Sequence, residues 1–175
     1  MTNNQRPTTN DHENVVMHMD DTAVRAQLRA MLDWREAHAG FDAAVKGLPP
    51  RLRGVVPQGL VHSAWQLVEH MRMAQADILE FCVEPKYKHK KWPEDYWPAG
   101  AEPRDSAAWE ASITAFRSDR RALQDLTTDR TIDLLAKIPW GTGQTYLREI
   151  LLVADHNAHH VGQLILVRRA LGAWP

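Results

Sequence analysis

Apolar residues in this chain recur at helical spacing in four separate stretches, and no run alternates apolar and polar with a period of two. An α-helix turns about 100° per residue, so this spacing gathers an apolar stripe that must be buried against another element. The pattern restricts the fold to helices packed on helices. The first stretch follows an N-cap region at Asp20-Asp21-Thr22 and runs through Val24, Leu28, Met31, His38, Phe41 and Val45, predicting a helix over 21–46. It stops at Gly47-Leu48-Pro49-Pro50, because Gly suits a left-handed C-terminal turn and Pro cannot continue the hydrogen-bond ladder. The second begins near His62-Ser63, carries Ala64, Leu67, Met71, Ala74, Ile78 and Leu79, and ends before Pro85.

The next segment, 84–104, has no helical or alternating period and combines four prolines, four lysines and four large aromatics. Long loops inside compact domains often cover a site, and disorder is the competing reading. Its Lys86, Lys88, Lys90 and Lys91 read as a solvated charge run more readily than as an anion site. A third helix starts near Asp105-Ser106, buries Trp109, Ile113, Phe116, Leu123 and Leu126, and turns Arg117, Asp119 and Arg121 to water before fading at 127–129. The connector 128–143 is apolar through Ile132, Leu134, Leu135 and Ile138 yet too punctuated for a long helix, so it reads as a packed loop. The last helix spans about 144–171, with Leu147, Ile150, Leu151, Ala154, Val161, Leu164 and Leu171 as core candidates. The expected fold is all-α: a four-helix bundle with long connections after helices two and three.

Length and composition narrow the function. The 175 residues suit one domain over 21–175, preceded by a polar, disordered segment over 1–20. With 21 basic against 22 acidic residues, the chain lacks the electropositive footprint of a nucleic-acid binder. The single cysteine, Cys82, leaves no intrachain disulfide and suits a reducing compartment. Neither a signal peptide nor a membrane span is apparent, so a cytoplasmic protein without a membrane partner is expected.

Two histidines on the last helix carry the chemical signal. His156 and His160 lie about 40° apart around the axis and about 6 Å apart along it, so their imidazoles could grip one metal ion. Such ions take three or four protein ligands, and catalytic sites keep a position open. His70, in register with Leu67, Ala74 and Ile78, faces inward from helix two, and a bundle can bring it opposite the pair as a third ligand; chance pairing in a histidine-rich helix is the competing reading. The remaining histidines read differently. His12, His18 and His89 fall in solvated segments, His38 looks like a hydrogen-bonded core residue, His62 caps or precedes helix two, and His159 points about 60° from His156, away from His160. Glu69 and Asp155 adjoin ligands but point about 100° away; Glu149 shares a face with His156 about 10 Å distant, where it could support a ligand. Gln163 reads as bonding across the bundle more readily than as contacting a ligand.

Leu67-Val68-Glu69-His70, Ile138-Pro139-Trp140-Gly141 and His156-Asn157-Ala158-His159-His160-Val161-Gly162-Gln163, with the helix end Arg168-Arg169-Ala170-Leu171-Gly172, resemble the DinB-like superfamily, which includes the YfiT-type proteins. The likeness spans nearly all of 22–174. It implies a four-helix bundle in which one histidine of helix two and two of the last helix bind a divalent metal; the matching positions are His70, His156 and His160. It also implies frequent homodimers and, in some members, transfer chemistry using a low-molecular-weight thiol. Zinc or nickel is the expected cofactor, with iron also compatible, since imidazole serves all three. The expected function is a metal-dependent S-transferase or hydrolase acting on a small molecule. The alternative is a non-catalytic bundle, metal-stabilised or metal-free, that binds a small molecule or a protein.

Overall fold

The four periodic stretches fold as five helices because the first one breaks. In the computed structural model, which describes residues 20–33 and 35–174, the helices are α1 Thr22–Met31, α2 Phe41–Val45, α3 Ala64–Val83, α4 Ser106–Thr128 and α5 Tyr146–Ala170. The segment expected to be disordered, with His12 and His18, lies outside the described residues apart from Asp20. Among the described residues no strand forms beyond one isolated bridge between Lys137 and Thr145. No helix there is long and apolar enough to cross a membrane.

Local chemistry sets the three long helices. Ser63 caps α3 by accepting from the Gln66 backbone N–H at 3.2 Å, and the Gln66 side chain accepts from the Ser63 N–H at 3.0 Å. This reciprocal box satisfies two donors that a helix start otherwise leaves unpaired. Asp105 caps α4 through the Ala108 N–H at 2.7 Å, and Thr145 caps α5 through the Arg148 N–H at 3.2 Å. At the far end of α5, Gly172 adopts φ +66°, the left-handed turn that stops the ladder.

The break after α1 corrects the expected helix over 21–46. Asp33 accepts from Arg120 and from Arg35, each at 2.7 Å, and the chain turns there before Gly40 starts α2. His38 is therefore exposed on the connecting loop, its ring nitrogen 3.0 Å from the Ala39 carbonyl oxygen, and is no core residue. The stripe of α1 is rotated as well. Val24 is 54% exposed, while Arg25 is buried beside Leu28 and Leu32. Its guanidinium donates to the carbonyls of Thr127 at 3.1 Å, Asp129 at 3.0 Å and Ile132 at 2.7 Å. A buried charge held by several acceptors thus displaces the apolar side chain that periodicity favoured.

Helix α3 packs on α4 and α5, and α1 closes the ring from the opposite corner by packing on the same two. The core divides into two apolar clusters. One gathers Phe41, Leu67, Met71, Trp109, Phe116 and Val161; the other gathers Leu28, Phe81, Leu123, Ile138, Ile150 and Val153. Between their shares of α3 and α5 lie two buried amides. Gln75 donates to the Phe116 carbonyl at 2.7 Å, and Asn157 donates to the Gln75 side-chain oxygen at 2.9 Å. The connector after α4 packs as expected through Leu134 and Ile138, although Leu135 is 71% exposed. Leu151, another expected core residue, also faces out.

The 84–104 loop is ordered by contacts with the bundle. The Ser63 hydroxyl donates to the Ala101 carbonyl, and Trp97 packs on the first cluster. Gly54 permits a close approach by this loop, since a Cβ added there would lie 2.2 Å from the Cβ of Glu102. Of the lysines, Lys90 reaches Asp77 and Glu80, each at 3.2 Å, whereas Lys86, Lys88 and Lys91 are exposed.

One arginine joins α2 to α5. Arg168 is buried and donates to the carbonyls of Ala44 at 2.6 Å, Lys46 at 2.9 Å and Ala173 at 2.7 Å. Arg168→Ala leaves these acceptors without their charged donor and should cost about 2–4 kcal/mol in urea unfolding. Replacing the exposed Arg121 by Ala should change stability by less than about 0.5 kcal/mol.

Candidate metal centre

His70 projects from α3 and His156 and His160 from successive turns of α5, and the packing of these helices brings the three rings together. The Nε2 atom of His70 lies 3.0 Å from Nε2 of His156 and 3.1 Å from Nε2 of His160. One ligand atom from each ring lies within 4.8 Å of the other two. Two imidazoles bound at about 2.1 Å to one tetrahedral ion would sit about 3.4 Å apart, so the spacing suits a shared ion.

The other ring nitrogens face acceptors. His70 Nδ1–H donates to the Tyr96 backbone carbonyl at 2.7 Å, and because a carbonyl only accepts, the neutral ring keeps its Nε2 lone pair free. His160 Nδ1 lies 2.8 Å from the Gln163 side-chain oxygen. His156 Nδ1 makes a long contact of 3.4 Å to the Asn157 side-chain oxygen. The orientation of Asn157 follows from the amide chain ending at Phe116: that carbonyl accepts a hydrogen bond from Gln75, which turns the Gln75 oxygen to the Asn157 amide and the Asn157 oxygen to His156. The Nε2 lone pairs of His70 and His160 therefore face each other at 3.1 Å, a repulsion that a cation among the three rings removes. This donor set fits a divalent metal ion.

Electrostatics favour the ligand form. Burial holds His70 and His156 below the ordinary imidazole value and pushes His160 down to about 4, with His156 adding to the effect on His160. Neutral rings are what metal binding requires. Cys82 is no rival ligand, for burial pushes its thiol up to about 12.

The 84–104 loop forms the wall beside the triad. Trp97 stacks on His70 with ring centroids 3.9 Å apart and on His62 at 4.1 Å, so its indole is sandwiched between them. Trp92 stands 6.5 Å from His70 and is 67% exposed. His70 is buried, while His156 and His160 are only part-buried, so one side of the triad stays reachable from solvent.

The sequence-predicted trio is thus brought together, and its neighbours sort themselves. Gln163 contacts the ligand His160 and does not bond across the bundle, which reverses the sequence expectation; at the start of a turn, three residues after the histidine, it is within local reach. Its amide nitrogen lies 3.1 Å from His159, which is exposed and outside the trio. Glu69 is tied to Arg72 at 2.7 Å, and Asp155 is exposed. Glu149 bonds Arg148 at 2.5 Å and no triad ring. Tyr96, Trp97 and Gln75 were missed as contributors. Tyr96 and Trp97 left a trace only as members of the aromatic loop expected to cover a site, and Gln75 as a polar residue beside the apolar stripe of α3.

Cavity volume would direct attention elsewhere. A cavity of about 420 Å³ opens among α1, α2, α4 and α5, where Ala154, Ala158 and Val161 face away from His156 and His160. Its lining is mostly apolar and brings no three metal donors together, so donor geometry locates the site at the triad.

The imidazoles also set an acid response. A folded-state value below the unfolded one means that the unfolded chain takes up protons first, so this stability is complete above about pH 6.5 and is lost as pH falls toward 4. Thermal melts of metal-free protein should show that decline, and His160→Gln, which cannot protonate, should show a shallower one. Identical slopes would remove His160 from the account.

No curated protein and no solved structure matches the chain significantly. The family model of the DinB superfamily matches residues 33–164, a span that includes α3, the loop beside the triad and all three histidines. Together with the all-helical fold and the converging imidazoles, that match establishes that the chain belongs to the DinB superfamily.

Proposed function

We propose that this chain is a metal-dependent enzyme in which His70, His156 and His160 hold a divalent ion, and that its reaction is transfer to or from a small-molecule thiol. The observation that carries the reading is the convergence of three Nε2 atoms, with His70 buried, His156 and His160 part-buried, the rings of His70 and His160 held from behind, and one side open. A bound ion of this kind supplies Lewis acidity, lowering the pKa of a water or thiol that reaches it.

The protein's share is orientation and exclusion of water. The Tyr96 carbonyl fixes the tautomer of His70, Gln163 fixes the ring of His160, and Trp97 covers the His70 face. Exposed Trp92, beside the triad, offers an apolar surface for the body of an electrophile.

Thiol transfer is favoured over hydrolysis by what surrounds the triad. Hydrolysis of an ester or amide calls for a general acid near the leaving group. No carboxylate bonds a triad ring: Glu69 pairs with Arg72, Asp155 lies exposed, and Glu149 stands two helical turns from His156. A thiolate needs no base once its proton has gone to solvent through the open side.

Metal analysis of protein purified without an affinity tag should find about one divalent ion per chain, and His70→Ala or His156→Ala should abolish it. Wild-type protein that is metal-free and takes up neither zinc nor nickel would sink the proposal. Gln163→Leu should retain the fold and weaken metal binding about 10- to 100-fold in a chelator competition. For the reaction, metal-loaded protein should consume thiol in the presence of an electrophile such as a haloalkane or epoxide, with no consumption by His156→Ala.

A further inference from the structure

Asp77 is a carboxylate buried on the same face of α3 as His70. It follows that histidine by seven residues, which is two turns or about 10 Å along the axis, and it is 6% exposed. A carboxylate so placed loses its hydration and must find donors in the protein. Those it finds among the described residues come from the 84–104 loop. The Tyr96 hydroxyl donates to it at 2.6 Å and the Tyr87 hydroxyl at 3.0 Å, and the Lys90 ammonium lies at 3.2 Å. Lys90 also reaches Glu80, so its charge has a second partner, whereas both phenols are turned to Asp77.

These bonds turn the loop into a strap. Tyr87 and Tyr96, nine residues apart, are drawn to one carboxylate, and the segment between them closes through the Lys91 N–H on the Asp95 carboxylate at 2.7 Å and a short turn over Glu94–Tyr96. Tyr96 is thereby attached to α3 at two points. Its hydroxyl is on Asp77, and its backbone carbonyl accepts from His70 Nδ1–H at 2.7 Å. A loop carbonyl held at one point can swing away, but with the phenol fixed two turns along the helix it stays aimed at His70. The same register delivers the next residue, Trp97, between His70 and His62. Without that carbonyl a neutral imidazole is free to carry its proton on either nitrogen, and the Nε2–H form has no lone pair to give an ion.

We infer that Asp77 is a positioning residue for the metal centre: by taking the Tyr96 and Tyr87 hydroxyls it seats the 84–104 loop so that the Tyr96 carbonyl holds His70 as the Nδ1–H tautomer, with Nε2 turned to the ion. The inference rests on the metal-site proposal only for the role of His70 as a ligand. The coupling is reciprocal. An ion on Nε2 makes the Nδ1–H a stronger donor, so loading tightens the loop by the same free energy with which the seated loop tightens the ion.

Nitrogen NMR of the histidine side chains in metal-free, full-length protein reads the tautomer directly. Wild type should carry the His70 proton on Nδ1. Asp77→Leu, similar in size but unable to accept, and Tyr96→Phe, which keeps the carbonyl and removes one hydroxyl, should each move part of His70 to the Nε2–H form. Glu80→Gln, which removes the other partner of Lys90, should leave the tautomer as it is. In chelator competition with zinc, Asp77→Leu should bind about tenfold more weakly and Tyr96→Phe about threefold, because Tyr87 and Lys90 still hold the loop there. The double variant should bind no more weakly than Asp77→Leu alone, since both changes break one link. An unchanged tautomer in the variants, or losses that multiply in the double variant, overturns the inference and leaves Asp77 a structural residue. Should Asp77→Leu fail to fold, Tyr96→Phe decides on the same tautomer and zinc readouts. Wild-type protein that takes up no zinc rejects the metal reading, while the tautomer, measured without any ion, still decides whether Asp77 acts on His70.

Discussion

The register between α3 and α5 is the constraint on which the site depends, and a short chain of buried amides holds it. The Phe116 carbonyl on α4 accepts a hydrogen bond from Gln75 on α3, whose oxygen accepts one from Asn157 on α5. Three helices are thereby tied at one level, between the two apolar clusters. Apolar packing alone tolerates sliding because it is not directional, whereas a buried amide out of register loses its partner at a cost of about 1–3 kcal/mol. Holding Gln75 against Asn157 puts His70, a turn and a half away on α3, level with His156 and His160.

From that register follows the placement of two groups of side chains along α3 and α5. At one place three neutral imidazoles turn their lone pairs inward; two turns along, two shielded carboxylates face a small chamber. The 84–104 loop serves both. Tyr96 uses its backbone on His70 and its side chain on Asp77, while Trp97 is wedged between His70 and His62. The phenols of Tyr87 and Tyr96 are pushed up, first by burial and then by Asp77, so both remain protonated donors to that carboxylate. The loop therefore supports the triad, and a change in it would be felt at His70 through the Tyr96 hydrogen bond and the Trp97 stack.

Arginine is the other organising residue. Arg25 and Arg168 are buried and end in fans of backbone carbonyls, the first at the end of α4 and the second beside α2. Carbonyls at helix ends and turns lack intrahelical donors, and a guanidinium offers five N–H groups in a fixed plane. Each arginine thus supplies to a connection what an apolar contact cannot. Apolar periodicity does not register this kind of burial, which is why the stripe of α1 was placed on Val24 when Arg25 occupies the buried face.

The sequence by itself determined the helical class, the positions of the three long helices and the identity of the three converging histidines. Those features are local: capping side chains act within a turn, and a 3.6-residue period places His156 beside His160 and turns His70 inward wherever the helices pack. Tertiary structure decided the rest. It ended the first helix at Met31, just before Asp33 pairs with Arg120 on α4, and it put His38 on an exposed loop. It supplied Tyr96, Trp97 and Gln163 as supports for the rings, and it gave Glu149 a chamber rather than a ligand to support. Contacts between residues distant in sequence, or between side chain and backbone, carry no periodic signature, so the residues that hold and surround the histidines became visible only when the helices were in register.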